Sequence, residues 1–553
     1  MSALHRFRKP PVIEGQSLGA RVGSYVGKAS SLSSIIALAR ALACSMACVM
    51  ACVMACVMTW VLTWPATVSA DEAVLIAGGP DPASSPEDVE LTALWIENIL
   101  DTAGLPLTTI FTDGESIGPD VYFKVSQDTA ESPLMPLARL FGDDVVERRR
   151  YRENELPELA GGTRRDLLEP LFENLLERTR DEPLLLIYNG QGSRSGERHA
   201  ADASLDLWGN TTLSASELHA LIEKRRPRAR EPFRYLFTQC HSGGFHRLAY
   251  QDANTGIELA AATRCGFTAE SAWQRSESCS ARADDHEQSS YSTFFLAALD
   301  DRERDGSVLT RNPDVDADGD VSLREAHFHA LELAHSTDFA RSTSEDWLER
   351  WQPWYLRWLP VSSHLPNNEY ARLFRSLATR TGLPLDNRVG QTLRERLSTH
   401  RKELDALRVE RDSREQSLEA SRLDLQREAT RRWQALRAPY TSAYRTLAMG
   451  NELIDIAAWI ARQPDYAELV EHLGVLSRLE LQILGRERDI TAVHKLLRLR
   501  RLADLKGQLA EHGKPHEQAS YARLLDCEEL PLAMGRAIPA DEARDISAES
   551  ALE

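Results

Sequence analysis

Between residues 71 and about 345, short apolar runs alternate with helix-forming stretches, and this restricts the fold more than any other feature of the 553-residue chain. Ala73-Val74-Leu75-Ile76-Ala77 reads as a buried strand closed by Gly78-Gly79. A helix is expected next, with Ser85 as N-cap, Pro86 at its first position and Gly104 as its stop. Leu91, Leu94, Trp95 and Ile99 would form its apolar face. Residues 108–111, 184–188 and 235–238 read as further strands, and Thr163 with Asp166 and Ser214 with Glu217 mark helix starts. Apolar strands separated by helices predict an α/β fold: a mainly parallel sheet with helices on both faces, a three-layer sandwich. In such sheets ligands gather at the carboxyl ends of the strands.

The flanks differ in character. Residues 1–70 carry six basic residues and one acidic residue, then an uncharged run over 41–70 that ends Val68-Ser69-Ala70. Basic start, apolar middle and small-residue end predict a secretory signal. The apolar middle is long, so an uncut anchor tethering the chain to a membrane through residues 41–62 is the alternative. Formal net charge is −18, and the chain without its leader is more acidic still, which argues against a general binder of nucleic-acid phosphates. Outside the leader the only cysteines are Cys240, Cys265, Cys279 and Cys527, too few for a disulfide framework. Cys265 and Cys279 either pair or stay as thiols. Beyond a Trp-rich linker at 346–385, residues 386–535 are helix-forming. Leu397, Leu404, Leu418 and Leu425 step by sevens with Arg411 interrupting, an imperfect coiled-coil seam. The seam suits self-association or a protein partner, or else a helical hairpin within one chain. Residues 536–553 read as a loose tail.

Two segments carry the chemistry. Leu184-Leu185-Leu186-Ile187-Tyr188-Asn189-Gly190-Gln191-Gly192-Ser193 is an apolar strand ending in a glycine turn. Tyr235-Leu236-Phe237-Thr238-Gln239-Cys240-His241-Ser242-Gly243-Gly244-Phe245 is a second one, ending in a cysteine followed by Ser and two glycines. Taken alone, the cysteine fits a buried structural thiol as well as a nucleophile. The pair of segments, with Cys265-Gly266-Phe267-Thr268-Ala269 after them, resembles the caspase and legumain-like cysteine peptidases, in particular bacterial exported members. The resemblance spans about 71–345. It implies a caspase-like fold and an endopeptidase that attacks peptide carbonyls through Cys240. It implies an oxyanion hole from the amides of Gly192 and Cys240, and a substrate pocket lined by Thr268, Ala269, Glu270 and Ser271.

One position departs from the pattern. The general-base histidine of the family would stand at Gln191, and an amide cannot take a proton near neutral pH. Such a domain is a silent pseudo-peptidase kept as a scaffold, a slow enzyme, or one in which another histidine substitutes. His241 is expected to point away from Cys240 if the strand persists, and His246 and His199 are expected on loops. Independently of the resemblance, Asp314-Val315-Asp316-Ala317-Asp318-Gly319-Asp320-Val321-Ser322-Leu323-Arg324-Glu325 fits an EF-hand calcium loop. Asp314, Asp316, Asp318, Asp320, Ser322 and Glu325 are its expected ligand positions, and Ca²⁺ its expected ion, in a structural role. Trp347, Trp351, Trp354 and Trp358 are expected to pack a linker helix onto the core.

Overall fold

The structure is a computed structural model that describes residues 72–532, apart from 125–131, 143–148, 195–201, 252–255, 275, 278–288, 352, 354–364, 387 and 439–440. The signal or anchor, the C-terminal tail, His199, Cys279, Trp354 and Trp358 lie outside the described residues. Among the described residues no helix is long and apolar enough to cross a membrane.

The alternating segment folds as an α/β unit. Its strands are β1 (Glu72–Gly78), β2 (Leu107–Phe111), β3 (Leu184–Gly190), β4 (Phe233–Phe237), β5 (Arg264–Thr268) and β6 (Arg341–Ser342). They form one sheet in the order β2-β1-β3-β4-β5-β6. Every pairing is parallel except that of β6 with β5. Alternate side chains serve opposite faces, as the two-residue period of a strand requires. Ala73, Leu75, Ala77, Leu185 and Ile187 face one hydrophobic cluster; Val74, Ile76, Leu184, Leu186 and Tyr188 face another. Helices α1 (Glu87–Thr102), α4 (Tyr291–Asp300), α5 (Leu323–Leu333), α6 (Thr343–Trp351) and α7 (Glu369–Arg380) supply the first cluster; α2 (Arg165–Arg178) and α3 (Ala215–Arg225) supply the second.

Local signals hold in part. Ser214 and Glu217 form the expected capping box of α3, with the Glu217 amide donating to the Ser214 hydroxyl at 3.2 Å. Gly104 ends α1 at φ +69°. Ser85 does not cap α1: its hydroxyl takes the Gly79 amide (2.9 Å) and donates to the Asp81 carbonyl (3.0 Å), bracing the loop after β1. Thr163 likewise donates to the Thr112 carbonyl instead of capping α2. Leu91 is exposed, and Ala93, Ile96 and Leu100 are buried with Ile99 on the inward face. Sequence preference for a cap loses here to a tertiary hydrogen bond that satisfies a buried loop.

The C-terminal region is dominated by three helices, α8 (Val389–Arg432), α9 (Pro464–His512) and α10 (Pro515–Glu528). The start of α8 and the end of α9 join the core beside the sheet, whereas Leu418 and Leu425 meet Tyr466 and Leu469 in a separate distal cluster. The two long helices therefore run antiparallel. Arg408 pairs with Glu487 (2.8 Å) and Arg486 with Glu403 (3.3 Å) along their contact. The seam residues Leu404, Leu418 and Leu425 are buried within this one chain, while Arg411 turns to Asp412. The last turns of α9 do not stand apart from the α/β unit: Val493, Leu496, Leu499, Leu502 and Leu505 share its larger core. Trp347 and Trp351 are also buried there, and the Trp347 indole donates to the Ile257 carbonyl at 2.9 Å. Helix α10 closes on β5 through a disulfide between Cys265 and Cys527. Cys265 is thus committed to a partner 262 residues away, and the pairing of Cys265 with Cys279 is ruled out.

Candidate active-site pocket

The ends of β3 and β4 are stitched together before either reaches its glycine turn. The Thr238 amide and hydroxyl both donate to the Tyr188 carbonyl (each 3.1 Å), and the hydroxyl also reaches Asn189 Oδ1 (3.0 Å). Beyond this seam the chains diverge and leave a cavity of about 580 Å³. Gln191, Gly192, Ser193, Arg194, Asp206, Cys240, His241 and Trp273 line it.

Gln191, Gly192 and Cys240 are therefore brought together. Gly192 opens a short hairpin, Gly192–Arg194 pairing with Ala203–Leu207. A side chain there has no room, because a Cβ would lie 2.4 Å from the Cys240 carbonyl oxygen and 2.5 Å from Gln239 Cγ. Only glycine lets the two turns approach this closely. The buried Tyr188 hydroxyl fixes the hairpin from below, shared between the carbonyls of Gln191 (2.8 Å) and Asp206 (2.9 Å). Cys240 itself is 3% exposed, its Sγ 3.9 Å from the Ser276 carbonyl oxygen. It is disulfide-bonded.

His241 faces the same cavity as Cys240, against the sequence expectation. The strand does not persist: β4 ends at Phe237, and His241 takes a left-handed conformation (φ +59°) at the head of the turn Ser242–Ala249. Its amide donates to the Gln274 carbonyl at 3.1 Å. His246 is fully buried instead of lying on a loop, bonded to Tyr235 Oη (3.1 Å), Thr268 Oγ1 (3.1 Å) and Thr343 Oγ1 (3.2 Å). Burial pushes its pKa down to about 4, which keeps it neutral and structural.

The residues expected to line a substrate pocket sit behind the cavity, not in its wall. Thr268, Ala269, Glu270 and Ser271 are all buried. Glu270 accepts from the amides of Ser271 (2.7 Å) and Phe339 (3.1 Å), and burial together with the Asp338 charge holds its carboxyl far above the usual range. The wall is made instead by Trp273, which is 62% exposed and has the Arg194 guanidinium 5.9 Å from its ring centre. Asp206 supplies the acidic side of the cavity, its Oδ1 taking the Ser193 hydroxyl at 2.5 Å; burial raises its pKa. Sequence reasoning passed over Ser193, Arg194, Asp206 and Trp273. Only the strict alternation of 203–207 hinted that Asp206 would project from a strand.

The acidic loop lies elsewhere, before α5. Carboxylate oxygens of Asp314, Asp316 and Glu325 come within 4.8 Å of one another. Gly319 turns the loop at φ +97°, and the Gly319 amide donates to Asp314 (3.2 Å). Asp318 takes the Asp320 amide (2.9 Å), and Ser322 caps α5 in a box with Glu325 (3.1 Å). The Asp318 amide donates to Asp316 and lowers its pKa, but the surrounding Glu325, Asp318 and Asp314 charges leave it raised. The three oxygens form an all-oxygen donor set of the kind hard divalent cations take.

No family model matches this chain, and neither does any curated protein or any solved structure.

Proposed function

We propose that residues 71–345 are a caspase/legumain-like cysteine-peptidase domain of an exported protein, silent as a peptidase while Cys240 is disulfide-bonded, that holds a peptide or protein ligand in the Gln191–Cys240 pocket. One observation carries this: Gln191 and Cys240, about fifty residues apart, end neighbouring parallel strands and line one cavity. The silence has two supports. A disulfide sulfur is not a thiolate nucleophile, and the Gln191 amide cannot serve as the base. The buried disulfide between Cys265 and Cys527 suits an oxidising compartment, in keeping with export. At the acidic loop a bound Ca²⁺ would neutralise three converging carboxylates and pin the start of α5, a structural role. The polar outer sides of α8 and α9 would face a protein partner.

A second reading, a slow peptidase, is favoured by His241. It lines the cavity with Cys240, beside Asp206, and an imidazole is the usual partner of a nucleophilic thiol once that thiol is freed. The deciding experiment is Gln191→His assayed under mild reduction against a mixed peptide library. We expect cleavage to rise by about 10²–10⁴, the worth of a general base, and to vanish on adding Cys240→Ala. Unchanged cleavage in the reduced variant would remove the peptidase lineage. Appreciable activity in reduced wild type, lost in His241→Ala, would favour the slow enzyme.

A further inference from the structure

The wall carrying Trp273 and Gln274 follows β5 and is held from behind by three buried acidic side chains. Glu270 ties its start to Phe339, as described above. Asp338 accepts from the Ser276 hydroxyl and the Glu277 amide (each 2.8 Å) and from the Tyr291 amide (3.1 Å). Glu277 accepts from the Thr337 amide (2.8 Å). These bonds zip the wall to residues 336–339. Ser276 is the residue whose carbonyl borders Cys240, and Gln274 is the one that fixes His241.

Glu277 in this buried seam is paired with a cation, and among the described residues that cation comes from α9. Arg488 clasps Glu277, its Nε 3.1 and 3.2 Å from the two carboxylate oxygens, across 211 residues of sequence. Two turns on, buried Lys495 reaches the Ala334 carbonyl (3.4 Å). Arg488 stands where α9 changes role. Residues before it pair with α8 in the hairpin, and those from Val493 onward enter the core.

We propose that Arg488 is a positioning residue for the pocket: by pairing with Glu277 it holds the Trp273–Gln274 wall, so the shape of the cavity depends on how α9 is seated. This rests on the reading of the cavity as a ligand site. Without the guanidinium, Glu277 would be a buried, unpaired carboxylate, and the wall would move to hydrate it.

The test is amide hydrogen exchange in the full chain, comparing wild type with Arg488→Ala, Arg488→Lys and the swap Arg488→Glu with Glu277→Arg. In Arg488→Ala the Glu277 and Thr337 amides should exchange about tenfold faster or more, while Leu185 and Ile187 in β3 keep their protection. Arg488→Lys should recover part of the loss at both amides, and the swap should recover the residue-277 amide but not Thr337, whose acceptor it removes. Unchanged exchange at Glu277 and Thr337 overturns the proposal. So does equal loss in β3, which would make Arg488 a general stabiliser. Peptide-library binding is measured in parallel: a wild type that binds no peptide counts against the ligand site, and the exchange result still decides whether Arg488 holds the wall.

Discussion

Cys265, the second residue of β5, is bonded to Cys527, near the end of α10, with Cα atoms 6.1 Å apart and a sequence separation of 262. The bond fastens the last described helix to the sheet that carries the pocket. Around it, Arg523 donates to the Ala260 carbonyl (2.9 Å), and Arg234 of β4 donates to the carbonyls of Pro531 and Leu532 (2.5 and 2.9 Å).

A cross-link closing so long a loop restricts the unfolded chain strongly. Cys265→Ser with Cys527→Ser should lower unfolding free energy by about 2–5 kcal/mol. Denaturant titration of oxidised wild type and the double variant checks this. A difference below about 0.5 kcal/mol would mean that the helix is held by its packing alone.

The neighbouring Glu528 gives a pH signature. It accepts from the Ser344 amide and hydroxyl (each 2.6 Å), and burial, only partly offset by Arg324, raises its pKa to about 7 from an ordinary 4.5. The folded state therefore binds a proton that the unfolded state releases between those values. The stability this adds is present below about 4.5 and lost as pH rises through about 7, a swing of about 3 kcal/mol. Glu528→Gln mimics the protonated acid. It should stabilise the protein over wild type by up to that amount at pH 8 and hardly at all at pH 4.5. Equal effects at both pH values would show that Glu528 does not titrate in this window.

At the pocket, Gly192→Ala should force the Cys240 carbonyl away from the hairpin. The added methyl costs about 1–3 kcal/mol as overpacking. Because the clash lies at the cavity, ligand affinity should fall as well. Preserved stability together with unchanged peptide binding would contradict the close approach.

For the acidic loop, calcium titration by calorimetry should show one site, lost in Glu325→Gln. Glutamine retains the capping box of α5 but weakens the closing ligand. Ca²⁺ at a hundred times its dissociation constant should raise wild-type stability by about 2.7 kcal/mol. Heat release that persists in Glu325→Gln would place the ion elsewhere.

Where a structural decision is local, the chain alone reveals it. Apolar runs of strand length marked β1 to β4, and Ser214 sits before Glu217 at cap spacing because a helix start must satisfy its own amides. Glycine turns after two such runs placed Gln191 and Cys240 at the strand ends, where parallel sheets open crevices. Tertiary structure decided the rest. Heptad leucines state that α8 has an apolar stripe, not that α9 covers it. Nothing near Cys265 points to Cys527, nothing near Glu277 to Arg488, and the left-handed turn at His241 depends on a partner carbonyl at Gln274. These contacts join groups far apart along the chain, and hydrophobic and ionic attraction leave no periodic trace of the partner in either local sequence.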